Sequence, residues 1–389
     1  VTLTELEGER STLGRLLLSR TDLSSDWVPS FAAVPRAPFL PDVMWPYDMD
    51  TGTTVTVDRR EDPDTWHRYA DSNVPVVTQW DDGASEGQGT VSTSSASMPS
   101  VVFSMLRDLD VQAGHRVLEI GTGTGWNAAL LAHRLGRSRV DTIEVDPQVA
   151  DQARASLEAF GLPVTVVTGD GALGHAAGAP YDRIIATAGL RQVPAAWLEQ
   201  TRPGGLIVAP WGTHFSHQDA VARMVVSEDG ASASGHFTGP VQFMKLRAQR
   251  TPFDGHDAYV PERLAGAEQL TTHVREEMLL RGGQFSEALF AIGLRVRDCW
   301  HQVAPKRDGA RPVWFYSLSD RSWACVMFRD GAAQADVWQA GPRGLWADVV
   351  DALGWWEFEG EPGYERLGLT VTAEGQRAWL DRPGNSWPV

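Results

Sequence analysis

With 389 residues the chain is long enough for two or three domains and a substantial buried core. Its 50 acidic against 34 basic residues leave a formal charge of -16, which disfavours broad contact with phosphate backbones, so no nucleic-acid partner is expected. No segment offers the roughly 18 consecutive apolar residues of a membrane span, and "LGRLLL" near the start lacks the order of a secretory signal, so a cytoplasmic protein without membrane contact is expected.

Taken in chain order, residues 1–90 read as a poorly periodic lead-in and substrate-side cap. A helical start gives way to proline-rich connections ("VPSFAAVPRAPFLPD"), and "VPVVTQW" looks like a strand before the loop "DDGASEGQGT". Next, "MPSVVFSMLRDLDV" sets Val101, Val102, Met105, Leu106 and Leu109 on one face of an amphipathic helix. From residue 116 the pattern alternates: "RVLEIG", "GWNAALLAHRLG", "RVDTIEVD", "PQVADQARASLEAFG", "PVTVVTGD", "YDRIIATAG", "PAAWLEQT" and "GGLIVAPWG". Near-continuous apolar strands separated by helices imply parallel strands covered on both faces. The fold class predicted for residues 91–248 is therefore α/β, a doubly wound, Rossmann-like sheet. Residues 249–389 read as an appended small α+β domain. In it "YVPERLAGAEQLTTHVREEMLLRGG" is expected to be a helical connection, followed by strands, a helix and further strands ending in "LGLTVTAEGQRAWL". The two cysteines, Cys299 and Cys325, are too few for a disulfide framework and lack zinc spacing, so reduced, buried thiols are expected.

In a doubly wound sheet the ligand crevice lies beyond the carboxyl ends of the strands, where the Gly121 turn, Glu144, Asp170 and Thr187 all fall. The turn "GTGTG" lets backbone amides approach a ligand closely, a pattern shared by several nucleotide-type cofactors. Glu119, two residues before the first glycine, narrows the choice: a carboxylate there repels a pyrophosphate but suits a cation, and S-adenosylmethionine carries a sulfonium and an ammonium. Glu144, ending the second strand, is placed to accept from two ribose hydroxyls, and Asp170, ending the third, to meet the adenine edge. The expected cofactor site comprises Glu119, Gly121, Thr122, Gly123, Gly125, Glu144, Val145, Asp170, Gly171 and Thr187.

The segment from about Val91 to Gly212 resembles the protein-L-isoaspartate (D-aspartate) O-methyltransferase family. "VLEIGTGTGWNAALLA" matches its first cofactor motif, "GDG" its second and "YDRIIATAGLRQVPAAWLEQTRPGGLIVAPWG" its later region, with a looser match from "FAAVPRAPFLPD" to "PVQFMKLR". Family members close the active site with a serine-containing loop, commonly Thr-Ile-Ser-x-Pro. Ser97 and Pro99 in "SASMP" stand at the family's distance, twenty residues before Val117, although "TVSTSSASMPS" is richer in serine than the family pattern. The resemblance implies S-adenosylmethionine as methyl donor, Ser97 as the catalytic residue, and Ser95, Ser97, Met98, Thr187 and Ala188 at the substrate.

Methyl transfer to a carboxylate is an in-line displacement that needs alignment and exclusion of water rather than a strong base. Hydroxyls and amides of the Ser97 loop and of "ATAGL" suit that task. His214 and His217 in "WGTHFSHQD" stand three residues apart without nearby acids in a helix, a weak ligand pattern, and no metal is assigned. Most of Trp314, Trp323, Trp338, Trp346, Trp355, Trp356 and Trp379 are expected in the core of the appended domain, with a peptide groove as the sharper alternative.

Longer members resembling this chain accompany ribosomally made peptides such as lanthipeptides and methylate an ordinary aspartate. The ester then leaves when the following backbone amide attacks, giving a succinimide (aspartimide) that either persists or opens to isoaspartate. That resemblance rests on the altered serine loop and the C-terminal extension, and on it the expected acceptor is an aspartate of a modified peptide, with a cyclised precursor among the partners. The alternatives are general isoaspartyl repair and a binding module that retains S-adenosylmethionine without turnover.

Overall fold

A computed structural model describes residues 8–48, 51–85, 87–251 and 253–389. Among the described residues the strands form three sheets. In chain order they are β1 (Val43–Asp48), β2 (Thr53–Thr54), β3 (Val57–Asp58), β4 (Val76–Trp80), β5 (Ser92–Ala96), β6 (Val117–Ile120), β7 (Val140–Glu144), β8 (Thr165–Thr168), β9 (Tyr181–Ala186), β10 (Thr201–Trp211), β11 (Asp219–Val226) and β12 (Ser232–Val241). The C-terminal part adds β13 (Glu268–Thr272), β14 (Cys299–Val303), β15 (Ala310–Ser317), β16 (Trp323–Arg329), β17 (Ala335–Ala340), β18 (Leu367–Thr372), β19 (Gly375–Leu380) and β20 (Ser386–Pro388).

The central sheet has the order β20-β19-β18-β12-β11-β10-β9-β6-β7-β8. Its strands from β8 to β10 are parallel, and β6 is buried at every position, as a strand covered on both faces must be. After β6 the chain moves outward to β7 and β8, then returns to lay β9 on the opposite side of β6. The switch point therefore lies between β6 and β9. Two helices flank it. Trp126–Leu135 starts behind Gly125, which has φ 89°, and Pro147–Ala159 is capped by Asp146, whose carboxylate accepts from Gln148 N and Val149 N.

The lead-in is more ordered than its weak periodicity predicts. It forms a second sheet, β2-β1-β4-β5, with β3 also on β1, around a small core of Met44, Val57, Trp66, Val76 and Ala96. The serine-rich segment is part of it: β5 pairs antiparallel with β4, Val77 opposite Ser95 and Val76 opposite Ala96. Strands with serine on both faces carry no alternation, which is why the sequence pattern left them unassigned.

Two expectations about the C-terminal part need correction. Residues 259–283, expected as a helical connection, instead form short turns, the edge strand β13 and one brief helix, Glu276–Leu279. Pro261, Gly266 and the Gly282–Gly283 pair interrupt any helix, and the threonines of "QLTT" favour a strand. The part is α+β, with the sheet β13-β17-β16-β15-β14 against the helix Leu345–Phe358, but it is not separate. β18 pairs with β12, so β18, β19 and β20 extend the central sheet, and one apolar cluster runs from Leu118 and Ile207 through Val337 to Trp346. Covering β12 removes a long exposed edge. Trp323, Trp346, Trp356 and Trp379 lie in the interior, whereas Trp314, Trp338 and Trp355 are partly exposed. Cys299 and Cys325 are buried free thiols, and burial pushes each up to about 12.

Candidate active site

At the switch point a cleft opens over the ends of β6, β7 and β9. Its floor is the turn after β6. Gly121 N and Thr122 N donate to Ile143 O at 2.8 and 3.1 Å, fixing the turn on β7. Gly121 has φ 95°, and a Cβ there would meet Thr187 Oγ1 at 3.0 Å, so both the conformation and the space require glycine. Thr187, at the end of β9, closes the turn by donating from its hydroxyl to Gly121 O and from its amide to Ile120 O.

Two carboxylates stand on the β6–β7 side. Glu119 is fully buried and accepts from Thr142 Oγ1 at 2.6 Å and Asn127 Nδ2 at 2.7 Å, while the Thr122 and Thr142 hydroxyls meet at 2.7 Å. Burial raises its carboxyl to about 7 against those hydrogen bonds. Glu144 accepts from Gly123 N at 2.9 Å and Asp146 N at 3.1 Å, and burial raises it too. An ionised carboxylate offers about four acceptor positions, so Glu144 keeps capacity for further donors.

The Glu119 shift has a readable consequence. A folded-state value above the unfolded one means that Glu119's contribution to stability is complete below about 4.5 and is lost as pH rises through about 7. Glu119→Gln removes this titration while keeping a carbonyl oxygen to accept from Asn127 Nδ2. Thermal melts across that range are expected to show a flatter pH profile for the variant, and unchanged curvature would contradict the assignment.

Over the turn lies the end of β5 and its loop, contributing Thr93, Ser94, Ser95, Ala96 and Ser97 to the cleft. Arg36 anchors it. Its guanidinium, 3 % exposed, donates to Ala96 O at 2.7 Å, Ser97 O at 3.0 Å and Val74 O at 3.1 Å, and lies over the Trp126 ring at 5.7 Å. Among the described residues no carboxylate forms an ion pair with it, and burial, opposed by the charge of Asp71, lowers it to about 9. On the far side, residues 244–250 cross the mouth as a strap. Arg247 reaches Asp146 at 2.8 Å and Asp82 at 3.1 Å, and Arg250 reaches Asp82 at 2.9 Å.

Of the residues expected at the site, Ser95, Ser97, Glu119, Gly121, Thr122, Gly123, Glu144, Val145, Gly171, Thr187 and Ala188 line the cleft. Gly125, Asp170 and Met98 do not. Gly125 serves as the left-handed cap of its helix, where a Cβ would press on Leu157 at 3.3 Å. The Asp170 carboxylate is exposed and accepts from Ala172 N at 2.9 Å, holding the turn that presents Gly171. Met98 caps the helix Pro99–Leu109 beside Ser97. Sequence reasoning missed Asn127, Lys245, Arg247 and Arg250 in the lining and Arg36 behind it. A lone arginine in the apolar, proline-punctuated "AAVPRAPF" was the signal for Arg36. The others had none in the sequence pattern. Among the described residues no group of three or more histidines, cysteines or acids could hold a metal, and no helix is long and apolar enough to cross a membrane.

A doubly wound sheet opening at its switch point onto this glycine turn and these carboxylates defines a Rossmann-like fold of the methyltransferase type. A family model for protein-L-isoaspartate(D-aspartate) O-methyltransferases matches residues 55–250, and the chain belongs to that family. It is 40% identical over 136 residues to the protein-L-isoaspartate O-methyltransferase of Pyrococcus horikoshii, covering 35% of this chain and 61% of the relative. It is 39% identical over 165 residues to that of Methanopyrus kandleri, covering 42% and 66%. The chain thus spans 61% and 66% of the length of these curated relatives. A solved structure described as a protein-L-isoaspartate O-methyltransferase shares the fold over 96% of this chain and 100% of its own, with a TM-score of 0.52 at 20% identity.

Proposed function

We propose that the chain is an S-adenosylmethionine-dependent O-methyltransferase that esterifies the free carboxylate of isoaspartyl residues in peptides and proteins, the acceptor its relatives are named for and the first step of isoaspartyl repair. The observation that carries this reading is the pair of carboxylates beside the glycine turn, Glu119 buried and Glu144 half-buried, with a serine loop over the same cleft. Bound there, S-adenosylmethionine supplies an electrophilic methyl on a sulfonium. The residues fit it. Glu119 and the unpartnered Asn127 Oδ1 offer acceptors to an ammonium, Glu144 retains acceptor capacity for ribose hydroxyls, and the glycine turn leaves room for close backbone approach.

The protein then has to align a carboxylate oxygen with the methyl and keep water out. Ser97 and the segment Thr187–Ala188 line the cleft where that carboxylate would lie, while the loop anchored by Arg36 and the 244–250 strap cover it. Ser97→Ala is expected to lower kcat by about 10- to 100-fold while cofactor affinity changes less than about twofold. A variant that turns over like the wild type would remove Ser97 from the reaction.

The peptide-tailoring reading, methylation of an aspartate in a ribosomally made peptide, rested on the serine loop and the C-terminal extension. The extension is not peculiar to such an enzyme, because the fold is shared over 96% of the chain with a solved protein described as a protein-L-isoaspartate O-methyltransferase. The serine-rich β5 loop alone favours the tailoring reading. To test carboxyl methylation itself, methyl-labelled S-adenosylmethionine would be incubated with an isoaspartyl peptide. Label released as volatile methanol by alkali is the expected product of an ester; alkali-stable label, or none, would overturn the reading. A protein that binds S-adenosylmethionine but labels neither an isoaspartyl nor an aspartyl peptide would be a binding module.

A further inference from the structure

A buried charge cluster at the cleft is left unused by this chemistry. Asp219, at the start of β11, is wholly buried, and Lys245 Nζ donates to its Oδ2. The Arg191 guanidinium stands 3.8 Å from Oδ1. The Lys245 and Arg191 side chains are only 13% and 11% exposed. Among the described residues one carboxylate thus faces two cations, so the cluster carries one uncompensated positive charge in a setting where such a charge is costly. Arg191 is turned away by donating to Thr213 O. Lys245 lines the cleft.

Its place there is fixed by the backbone. Gly189 N donates to Met244 O at 2.8 Å and Leu246 N to Gly189 O at 3.0 Å, which lays Lys245 beside Gly189. A Cβ on Gly189 would sit 2.7 Å from Lys245 Nζ and 2.9 Å from Asp219 Oδ2, so the absence of a side chain is what admits the pair. Gly189 follows Thr187 and Ala188 directly. The cleft is therefore polarised: the carboxylates Glu119 and Glu144 stand on the β6–β7 side, and the spare positive charge on the β9–β11 side. Arg247 and Arg250, also in the lining, are matched by Asp82 and Asp146.

We propose that Lys245 selects the acceptor: its ammonium, held by Asp219 and backed by Arg191, receives the carboxylate that is to be methylated. This rests on the reading that the acceptor is a carboxylate. An anion bound at Lys245 neutralises the cluster, and the donor's positive charge is met from the opposite wall. Lys245 is thus a specificity-determining residue that a neutral acceptor would not satisfy. Burial lowers its ammonium to about 8, consistent with a cation that gains from a further anion.

The test compares an isoaspartyl peptide with its isoasparaginyl twin, which carries a carboxamide in place of the carboxylate, as ligands of the full chain in the presence of S-adenosylhomocysteine. Wild type is expected to favour the carboxylate by about 10- to 100-fold. Lys245→Met should bring that preference below about threefold and raise KM more than it lowers kcat, while Lys245→Arg retains most of it. Lys245→Met leaves Asp219 matched by Arg191 and takes the cluster from one spare positive charge to none; Lys245→Gln, which loses the charge but keeps a donor for Asp219, is measured beside it and should show the same loss of preference. Either variant retaining the wild-type preference would overturn the proposal. A wild type that discriminates only with an aspartyl peptide overturns the repair reading and moves the Lys245 comparison to that peptide; a wild type that binds no carboxylate overturns both.

Discussion

Glu144→Ala is expected to weaken S-adenosylmethionine binding by about 100-fold, the largest loss among single changes at the cofactor. The carboxylate ends β7 at the switch point and already holds the amides of Gly123 and Asp146, so the glycine turn and the start of the next helix are set on it. Two ribose hydroxyls donating to its remaining lone pairs would each form a charge-assisted bond of roughly 1.5–3 kcal/mol. Alanine removes both and leaves Gly123 N without its acceptor. Glu144→Gln keeps one carbonyl oxygen and should lose only about tenfold. Burial raises the carboxyl, so wild-type affinity should fall as pH drops toward that raised value, and this fall should be absent in Glu144→Ala. Calorimetric titration across pH measures both. Affinity within threefold of wild type would show that the cofactor does not use Glu144.

Arg36→Met is expected to cost at least about 3 kcal/mol of stability and to lower kcat by about 10- to 100-fold. The buried guanidinium serves three backbone carbonyls, two of which belong to the loop carrying Ser97. Methionine fills much of the space but donates nothing, leaving the carbonyls of Val74, Ala96 and Ser97 short of a partner. Arg36 touches neither acceptor nor donor in this scheme; it positions the loop. Arg36→Lys, with a single compact donor group, should therefore recover part of the stability and part of the rate. Chemical denaturation together with steady-state rates tests the pair of effects. A methionine variant with wild-type kcat at a temperature where it remains folded would refute the positioning role.

The difference between Glu144 and Arg36 shows what the sequence could reveal. Glu144 sits at the end of a continuous apolar run inside a strand–helix alternation, so its strand, its end and its place at the crevice all follow from local pattern. The parallel strands β6, β7 and β9 and the Gly121 turn were legible for the same reason. Arg36, Lys245 and Asp219 act through contacts between segments far apart in the chain, which no local period encodes. Of the cap strands, β4 was legible in "VPVVTQW", whereas β5 was hidden by serines on both faces. The return of β18 to β12 was hidden too, since an edge partner is chosen by tertiary packing and not by the strand's own residues. Asp170 also occupies the expected position at a strand end; it accepts one hydrogen bond, from Ala172 N, which holds its own turn and leaves acceptor positions over.

The repair assignment is tested most directly by mass spectrometry of the purified protein with S-adenosylmethionine and two matched peptides, one carrying isoaspartate and the other aspartate at the same position. Gain of one methyl on the isoaspartyl peptide alone, followed by loss of methanol to the succinimide, is the expected result. Methylation of the aspartyl twin alone, ending one water below its starting mass, would contradict isoaspartyl repair and identify an enzyme that modifies ordinary aspartate.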